Sequence, residues 1–119
     1  MTNSEVNETI ARALGFLDVT QALWFMGDGV YVENQLNAYD RMITGCYRDY
    51  RSWTGSTDAC FRDLVPHANA RGWFLRTSQL PNGEHRAAFE KSDGTDMRGF
   101  SCESLSRSIA YAFVETLHA

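Results

Sequence analysis

Lysine is nearly absent from this sequence. Lys91 is the one lysine among 11 basic residues, and the others are all arginine. Arginine is better suited than lysine to planar, hydrogen-bonded and aromatic-stacked contacts, so the bias is compatible with recognition, although high-GC codon usage explains it equally well. The 15 acidic residues outnumber the basic ones and give a formal net charge of −4. This balance argues against nonspecific nucleic-acid binding, which needs clustered positive charge.

Cysteines and long apolar runs are also scarce. Cys46, Cys60 and Cys102 are an odd number at wide spacings, unlike the dense framework of a small secreted protein. No window approaches the roughly 18 continuous apolar residues of a membrane span. The opening MTNSEVNETIAR has no apolar signal core. We therefore expect a protein of a reducing cytoplasm that does not associate with a membrane.

Metal-binding spacing is missing as well. No C-x-x-C or H-x-x-x-H pair provides two ligands from one turn among the cysteines and His67, His85 and His118. We therefore predict no zinc or other metal site. Cys102 comes near the start of a predicted helix whose dipole would favour a thiolate, but no base is positioned beside it. A packing or capping role for this thiol is the preferred interpretation.

Catalytic patterns are equally hard to find. The Ser, His and Asp residues form no recognisable triad, and no two glutamates suggest an acid–base pair. Residues 55–58 have the composition of a phosphate-binding helix start, but there is no Walker pattern, and Asp58 places a negative charge where the anion would bind. Capping is the preferred role for them. We predict no catalytic residue and no cofactor, and hence a protein that acts by binding and is not an enzyme.

The most informative stretch is residues 55–73, GSTDACFRDLVPHANARGW, which predicts a helix start, a helix, a stop and the entry to a strand. Phe61, Leu64, Val65 and Ala68 follow the spacing of a helix buried on one side. Pro66 falls about two turns into this helix, where it removes a backbone donor and clashes with the preceding turn. A kink or break near Val65 is therefore expected.

The remaining patterns predict an α+β fold, with helices packed on a small antiparallel sheet in one compact domain over residues 1–119. A chain of 119 residues and 13.5 kDa is long enough for one core and too short for two ordinary domains. Ile10, Leu64, Ile109 and Phe113 are expected to be buried together. In the first half, the sequence predicts a first helix from a capping box at Thr2 and Glu5 to Gly15, and then a hairpin of 22–26 with 30–33. A short helix is predicted over 34–43, with Leu36, Tyr39 and Ile43 on one side. The second half is predicted to contain strands at 73–80, 85–91 and 96–100 and a last helix after 101–104.

A long, aromatic-rich middle segment, about 24–53, ends in CYRDYRSW over residues 46–53. Tyr, Trp and Arg dominate the hot spots of protein interfaces, and they also stack on and neutralise single-stranded nucleic acid. The alternative is a loop that covers the open face of the sheet with its own aromatics. The predicted partner-binding residues are Tyr47, Arg48, Tyr50, Arg51 and Trp53.

Three runs, NETIARALGF, WTGSTDACFRDLVPHANARGW and SCESLSRSIAYAFVETL, resemble the small phage and prophage proteins grouped as the phage αβα sandwich family. The resemblance implies a phage origin and a location in the host bacterial cytoplasm, and it brings no catalytic residues. We expect an accessory protein that binds a host or phage protein, and in particular one that inhibits a host anti-phage defence component such as a CRISPR-Cas effector. The alternative is a small-molecule or nucleotide-binding module that sequesters a signal.

Overall fold

The chain folds into helices and short antiparallel strands in the computed structural model, which describes residues 1–22, 27–34, 37–45 and 48–118. The fold is α+β, as the sequence predicts. Its elements are α1 (Asn3–Ala13), β1 (Thr20–Gln21), β2 (Val30–Glu33), α2 (Ala38–Thr44), β3 (Arg48–Arg51), α3 (Thr57–Ala59), a π-helical turn (Cys60–Leu64), α4 (Val65–Ala70), β4 (Trp73–Gln79), β5 (His85–Lys91), β6 (Met97–Cys102) and α5 (Leu105–Thr116).

The predicted capping box starts α1. The Glu5 N–H donates to Thr2 Oγ1 at 3.2 Å, and the Thr2 N–H donates to Glu5 Oε1 at 2.9 Å. Val6 and Ile10 are fully buried on the inner face, as their spacing predicts. A polar residue, Asn7, is buried beside them. The first helix therefore carries a hydrogen-bonding group into the core.

Pro66 is accommodated by a change of helix type. In the π-helical turn the Val65 N–H bonds to the Cys60 carbonyl, five residues back. The backbone stays helical through this turn and into α4. Pro66 then lies in the first turn of α4, where the N–H that it lacks is not needed. The predicted interruption near Val65 thus becomes a wider turn inside one continuous helix.

The wider turn also changes which side chains face the core. Cys60, Leu64 and Ala68 are fully buried, whereas Phe61 is 48% exposed. The prediction that Phe61 belongs to the buried face is wrong, because the regular α-helical spacing on which it depends does not hold through the π-helical turn. Ser56 caps the helix start by accepting a hydrogen bond from the Ala59 N–H at 3.1 Å, as expected for this segment.

The strands form two three-stranded antiparallel sheets, β1-β2-β3 and β4-β5-β6. The second sheet follows the prediction closely, and its third strand begins and ends slightly later than 96–100. In the first sheet, β2 matches the predicted 30–33. Among the described residues its hairpin partner is Thr20–Gln21. Residues 23–26 of the predicted partner strand, 22–26, lie outside the described residues.

The predicted helix over 34–43 begins later, at Ala38, where Asn37 caps it by accepting from the Asp40 N–H at 2.9 Å. Leu36, one of the three side chains expected on its inner face, lies outside the described residues. Tyr39 and Ile43 are exposed. The expectation of a buried face is therefore wrong for these two side chains, since none of the residues of α2 is buried.

One hydrophobic core joins both sheets to the helices. Ile10, Leu64, Ile109 and Phe113 are all fully buried in it, which confirms the predicted cluster. Val30 and Val32 of β2 and Ala87 and Phe89 of β5 belong to the same cluster. Because α1 contacts both α5 and the first sheet, and α5 packs on β5 and β6, the helices connect the two sheets. The loop after the first sheet is thereby held close to the start of α5.

Candidate functional site

The predicted binding segment, 46–53, is largely a strand. Tyr47 lies outside the described residues, and Arg48–Arg51 form β3, which pairs with β2 at one edge of the first sheet. Residues 48–51 are therefore not part of a loop, because their backbone belongs to the sheet ladder. The side chains of the segment are consequently held in fixed directions.

Trp53 lies in the core and not at the surface. Its side chain is fully buried, and its ring centroid is 6.0 Å from that of Phe16. The indole Nε1–H donates to Asp63 Oδ2 at 2.9 Å, so its polar atom is satisfied inside the protein. Trp53 is therefore corrected from an exposed anchor to a packing residue, because a fully buried indole has no surface to offer a partner. This agrees with the alternative role of a structural cover.

Asn7 organises the backbone around Trp53. Its Oδ1 accepts from the N–H groups of Trp53 at 2.9 Å and Thr54 at 3.1 Å. Its Nδ2 donates to Thr54 Oγ1 and to the Asp28 carbonyl, both at 2.8 Å. The Thr54 carbonyl in turn accepts from Ser106 Oγ of α5 at 2.8 Å. We call Asn7, Trp53, Thr54 and their partners Asp28 and Ser106 the Asn7 network. This network was not predicted from the sequence, because a lone Asn on an apolar helix face is a weak signal.

The Arg48 guanidinium forms several hydrogen bonds within the chain. It donates to Asp18 Oδ2 at 2.8 Å, to Thr20 Oγ1 at 2.9 Å and to the Tyr31 carbonyl at 2.9 Å, and it also bonds the Asp18 carbonyl. Asp18 has a φ of 54°, a left-handed conformation that non-glycine residues seldom adopt. Arg48 thus fastens this turn to the first sheet, and this structural role differs from the partner contact predicted for it.

Of the other predicted residues, Tyr50 is 37% exposed and Arg51 is half-buried. The Tyr50 ring meets Tyr31 edge-on at 5.7 Å, and its hydroxyl accepts from the Gly29 N–H at 3.2 Å. Gly29 has no room for a side chain, since an added Cβ would lie 2.4 Å from the Tyr50 ring. The Arg51 guanidinium lies over the Phe16 ring, 5.4 Å from its centroid. Both side chains are therefore held in place by packing.

A cleft of about 650 Å³ opens beside Tyr50 and Arg51. Its other walls come from the helix that begins after Ser56 and from the start of α5, which contribute Arg62 and Arg107. We call this the arginine cleft. Chain folding brings together three arginines that are far apart in the sequence, and no motif or spacing predicts that they meet.

The cysteines that the structure describes are packing groups. Cys60 is fully buried, and burial, helped by the nearby Asp63 charge, raises the pKa of its thiol to about 12. The thiol donates to the Trp53 carbonyl at 3.0 Å. The Cys102 thiol is half-buried and donates to the Ser104 carbonyl at 3.2 Å. Across residues 1–22, 27–34, 37–45 and 48–118, no three His, Cys, Asp or Glu side chains are grouped as metal ligands.

A second surface is formed by α2. Tyr39, Met42 and Ile43 are 65%, 65% and 62% exposed, and they follow one another at i, i+3 and i+4. They therefore lie along one side of the helix, and we call them the α2 stripe. Arg41 of the same helix forms an ion pair with Glu33 at the end of β2. The helix is thus attached through its polar side while its apolar side faces solvent.

Comparison with known proteins identifies no ligand for this chain. Within the described part of the chain, no helix is both long and apolar enough to cross a membrane. No protein-family model, no curated protein and no solved structure matches this chain. What the chain binds is therefore inferred from its own surfaces, the arginine cleft and the α2 stripe.

Proposed function

We propose that this chain is a small accessory protein that acts by binding another protein through the α2 stripe. The observation that carries this proposal is the exposure of Tyr39, Met42 and Ile43 on one side of a helix. Side chains at this spacing are the anchors with which short helices dock into apolar grooves of their partners. The partner is accordingly a protein that presents such a groove.

The energetics of α2 support docking. The helix has 7 residues, and so short a helix is marginal in water without tertiary support. Burying a Met or Ile side chain is worth about 1.5–3 kcal/mol each, and this free energy is not realised while Met42 and Ile43 face solvent. Methionine also adapts its shape to an irregular partner surface. A groove that covers the α2 stripe would supply the missing burial.

The kind of partner follows from the resemblance to the phage αβα sandwich family. Within this proposal the chain is of phage origin, acts in the host bacterial cytoplasm and inhibits a host anti-phage defence component, such as a CRISPR-Cas effector, by covering a functional surface. A net charge of −4 supports a protein partner over nonspecific binding of nucleic acid. Inhibition by coverage requires no catalysis, so no enzymatic activity is proposed.

The test is a phage challenge in a bacterium with an active CRISPR-Cas system. Expression of the chain should restore plaque formation by a targeted phage, and Tyr39→Ser and Ile43→Ser should each abolish that effect. Leu17→Ser is the matched control, because Leu17 is 67% exposed and lies outside the α2 stripe. All variants should keep the wild-type unfolding midpoint.

Two results would contradict the proposal. If both stripe variants restored plaque formation as fully as the wild type does, α2 would not be the docking surface. If the wild-type chain did not restore plaque formation and did not co-elute with the purified effector in size-exclusion chromatography, that effector would be excluded as the partner.

A further inference from the structure

The arginine cleft brings three guanidinium groups together in a protein that is acidic overall. Arg51, Arg62 and Arg107 line it, and Asp28 is the one carboxylate side chain among its lining residues in the described part of the chain. The whole chain has a formal net charge of −4. Three guanidinium groups, each with a carboxylate partner, therefore line one concave site.

The guanidinium groups of Arg62 and Arg107 use only some of their N–H donors in hydrogen bonds within the protein. Arg62 bonds Asp63 through Nε and Nη2, both at 2.9 Å. Arg107 bonds Glu103 through Nη2. Each arginine has five N–H donors, so both have further donors available to a ligand in the cleft.

Arg51 is the least satisfied of the three. Its carboxylate contact with Asp49 is long, at 3.6 Å between Nη2 and Oδ2. Its Nε is buried and has no hydrogen-bond partner among the described residues. The stacking over Phe16 fixes the guanidinium in place. The acceptors of the protein itself therefore satisfy the Arg51 guanidinium only weakly.

We infer that the arginine cleft binds a phosphate-bearing small molecule of nucleotide size. Phosphate oxygens accept paired hydrogen bonds from guanidinium groups, which gives both strength and orientation. A volume of about 650 Å³ lies within the range of small-molecule sites. The Tyr50 ring, held against Gly29, provides an aromatic wall for the organic part of the ligand. This inference goes beyond the proposed function, because it concerns a different ligand and uses none of the α2 stripe.

The surroundings of the cleft favour a small ligand over a nucleic-acid strand. A strand would need basic residues that continue along its path. Instead, Asp58 is exposed on the helix that follows Ser56. Its carboxylate repels the phosphates of a strand that continues past the cleft, whereas a short ligand stays among the three arginines.

Isothermal titration calorimetry with three probes tests the inference. ATP should bind the purified protein with a Kd below about 1 mM, and binding should weaken as salt is raised. Adenosine, which lacks phosphate, should not bind. Inorganic phosphate should bind more weakly than ATP. Equal binding of phosphate and ATP would overturn the nucleotide-sized ligand, and binding of adenosine as tight as that of ATP would overturn the phosphate recognition.

Variants then locate the site. Arg62→Gln and Arg107→Gln should each weaken ATP binding about tenfold or more, because each removes a charged donor from the cleft. Arg12→Gln is the matched control: Arg12 pairs with Glu8 at i, i+4 as Arg107 does with Glu103, but it does not line the cleft. Thermal unfolding verifies that each variant folds.

Wild-type affinity in both cleft variants, or no ATP binding at about 10 mM ligand, would overturn the inference. The variant Ile43→Ser tests ligand binding in the arginine cleft independently of the proposed function. This variant should bind ATP like the wild type even though it is expected to lose the protein partner. Loss of ATP binding in Ile43→Ser with an unchanged unfolding midpoint would show that the two surfaces are not independent, and would refute the assignment of the ligand to the cleft alone.

Discussion

Replacement of Asn7 by alanine should be among the most destabilising single changes in this protein. Asn7 is fully buried, and its Oδ1 is the side-chain acceptor for two backbone donors, the N–H groups of Trp53 and Thr54. The alanine variant leaves both donors in the core without that acceptor. Each unsatisfied buried group costs about 1–3 kcal/mol, so the expected loss of unfolding free energy is about 2–6 kcal/mol. Such a loss is a large share of the about 5–15 kcal/mol that stabilises a typical domain.

Urea denaturation followed by circular dichroism measures the effect. Asn7→Leu separates hydrogen bonding from packing, because leucine has a similar size but no acceptor, and it should be as damaging as alanine. Asn3→Ala is the control on the same helix. The half-buried Asn3 side chain donates to Asp28 Oδ2 at 2.9 Å and accepts from the Tyr111 hydroxyl at 2.7 Å. Removing these two hydrogen bonds should cost about 1–3 kcal/mol in total, at about 0.5–1.5 kcal/mol each, and therefore less than the Asn7 variants lose. An Asn7→Leu protein as stable as the wild type would refute the reasoning.

Three further predictions concern the core and its titrating groups. Leu64→Ala and Ile109→Ala should each cost about 2–5 kcal/mol, and an unchanged unfolding midpoint would show that the helix faces are misassigned. Because burial raises the pKa of Cys60 to about 12, iodoacetamide at neutral pH should modify this thiol only after unfolding, as intact mass spectrometry will show. Hydrogen bonds from Arg62 and Trp53 lower the pKa of Asp63 from its ordinary 3.8, so its stabilisation is complete above that pH and is lost as pH falls through the lower, folded value. Asp63→Asn should therefore flatten the acid decline of the unfolding midpoint below about pH 4; an unchanged slope would contradict this.

The core was predictable where it depends on local spacing. Ile10, Ile109 and Phe113 recur at helical intervals within single segments, and regular helices place them inward. The same reasoning failed for Phe61, because the π-helical turn shifts the side chains that follow Cys60. It also failed for Ile43, whose spacing is that of an amphipathic helix although no described element covers it.

The candidate site was less predictable because it is assembled from distant parts of the chain. Composition marks Trp53 as an interface residue, but its burial is tied to a hydrogen bond with Asn7, 46 residues earlier. Likewise, Arg51, Arg62 and Arg107 come from β3, the π-helical turn and α5, and no sequence motif links them. Local patterns carry no information on such pairings, which depend on how the helices and sheets pack together.

The Asn7 network also has a consequence for the order in which the protein folds. The corner at Trp53 and Thr54 is bonded on one side to Asn7 and on the other to Ser106 of α5, which is 52 residues away from Thr54. Contacts between such distant residues require large loops to close, and they slow folding. While the ribosome is still synthesising the second sheet, the Thr54 carbonyl has no Ser106 hydroxyl to accept from. The first half of the chain therefore reaches its native packing only after α5 has been made, so a nascent chain that stalls before residue 106 would leave the corner open to chaperones and proteases.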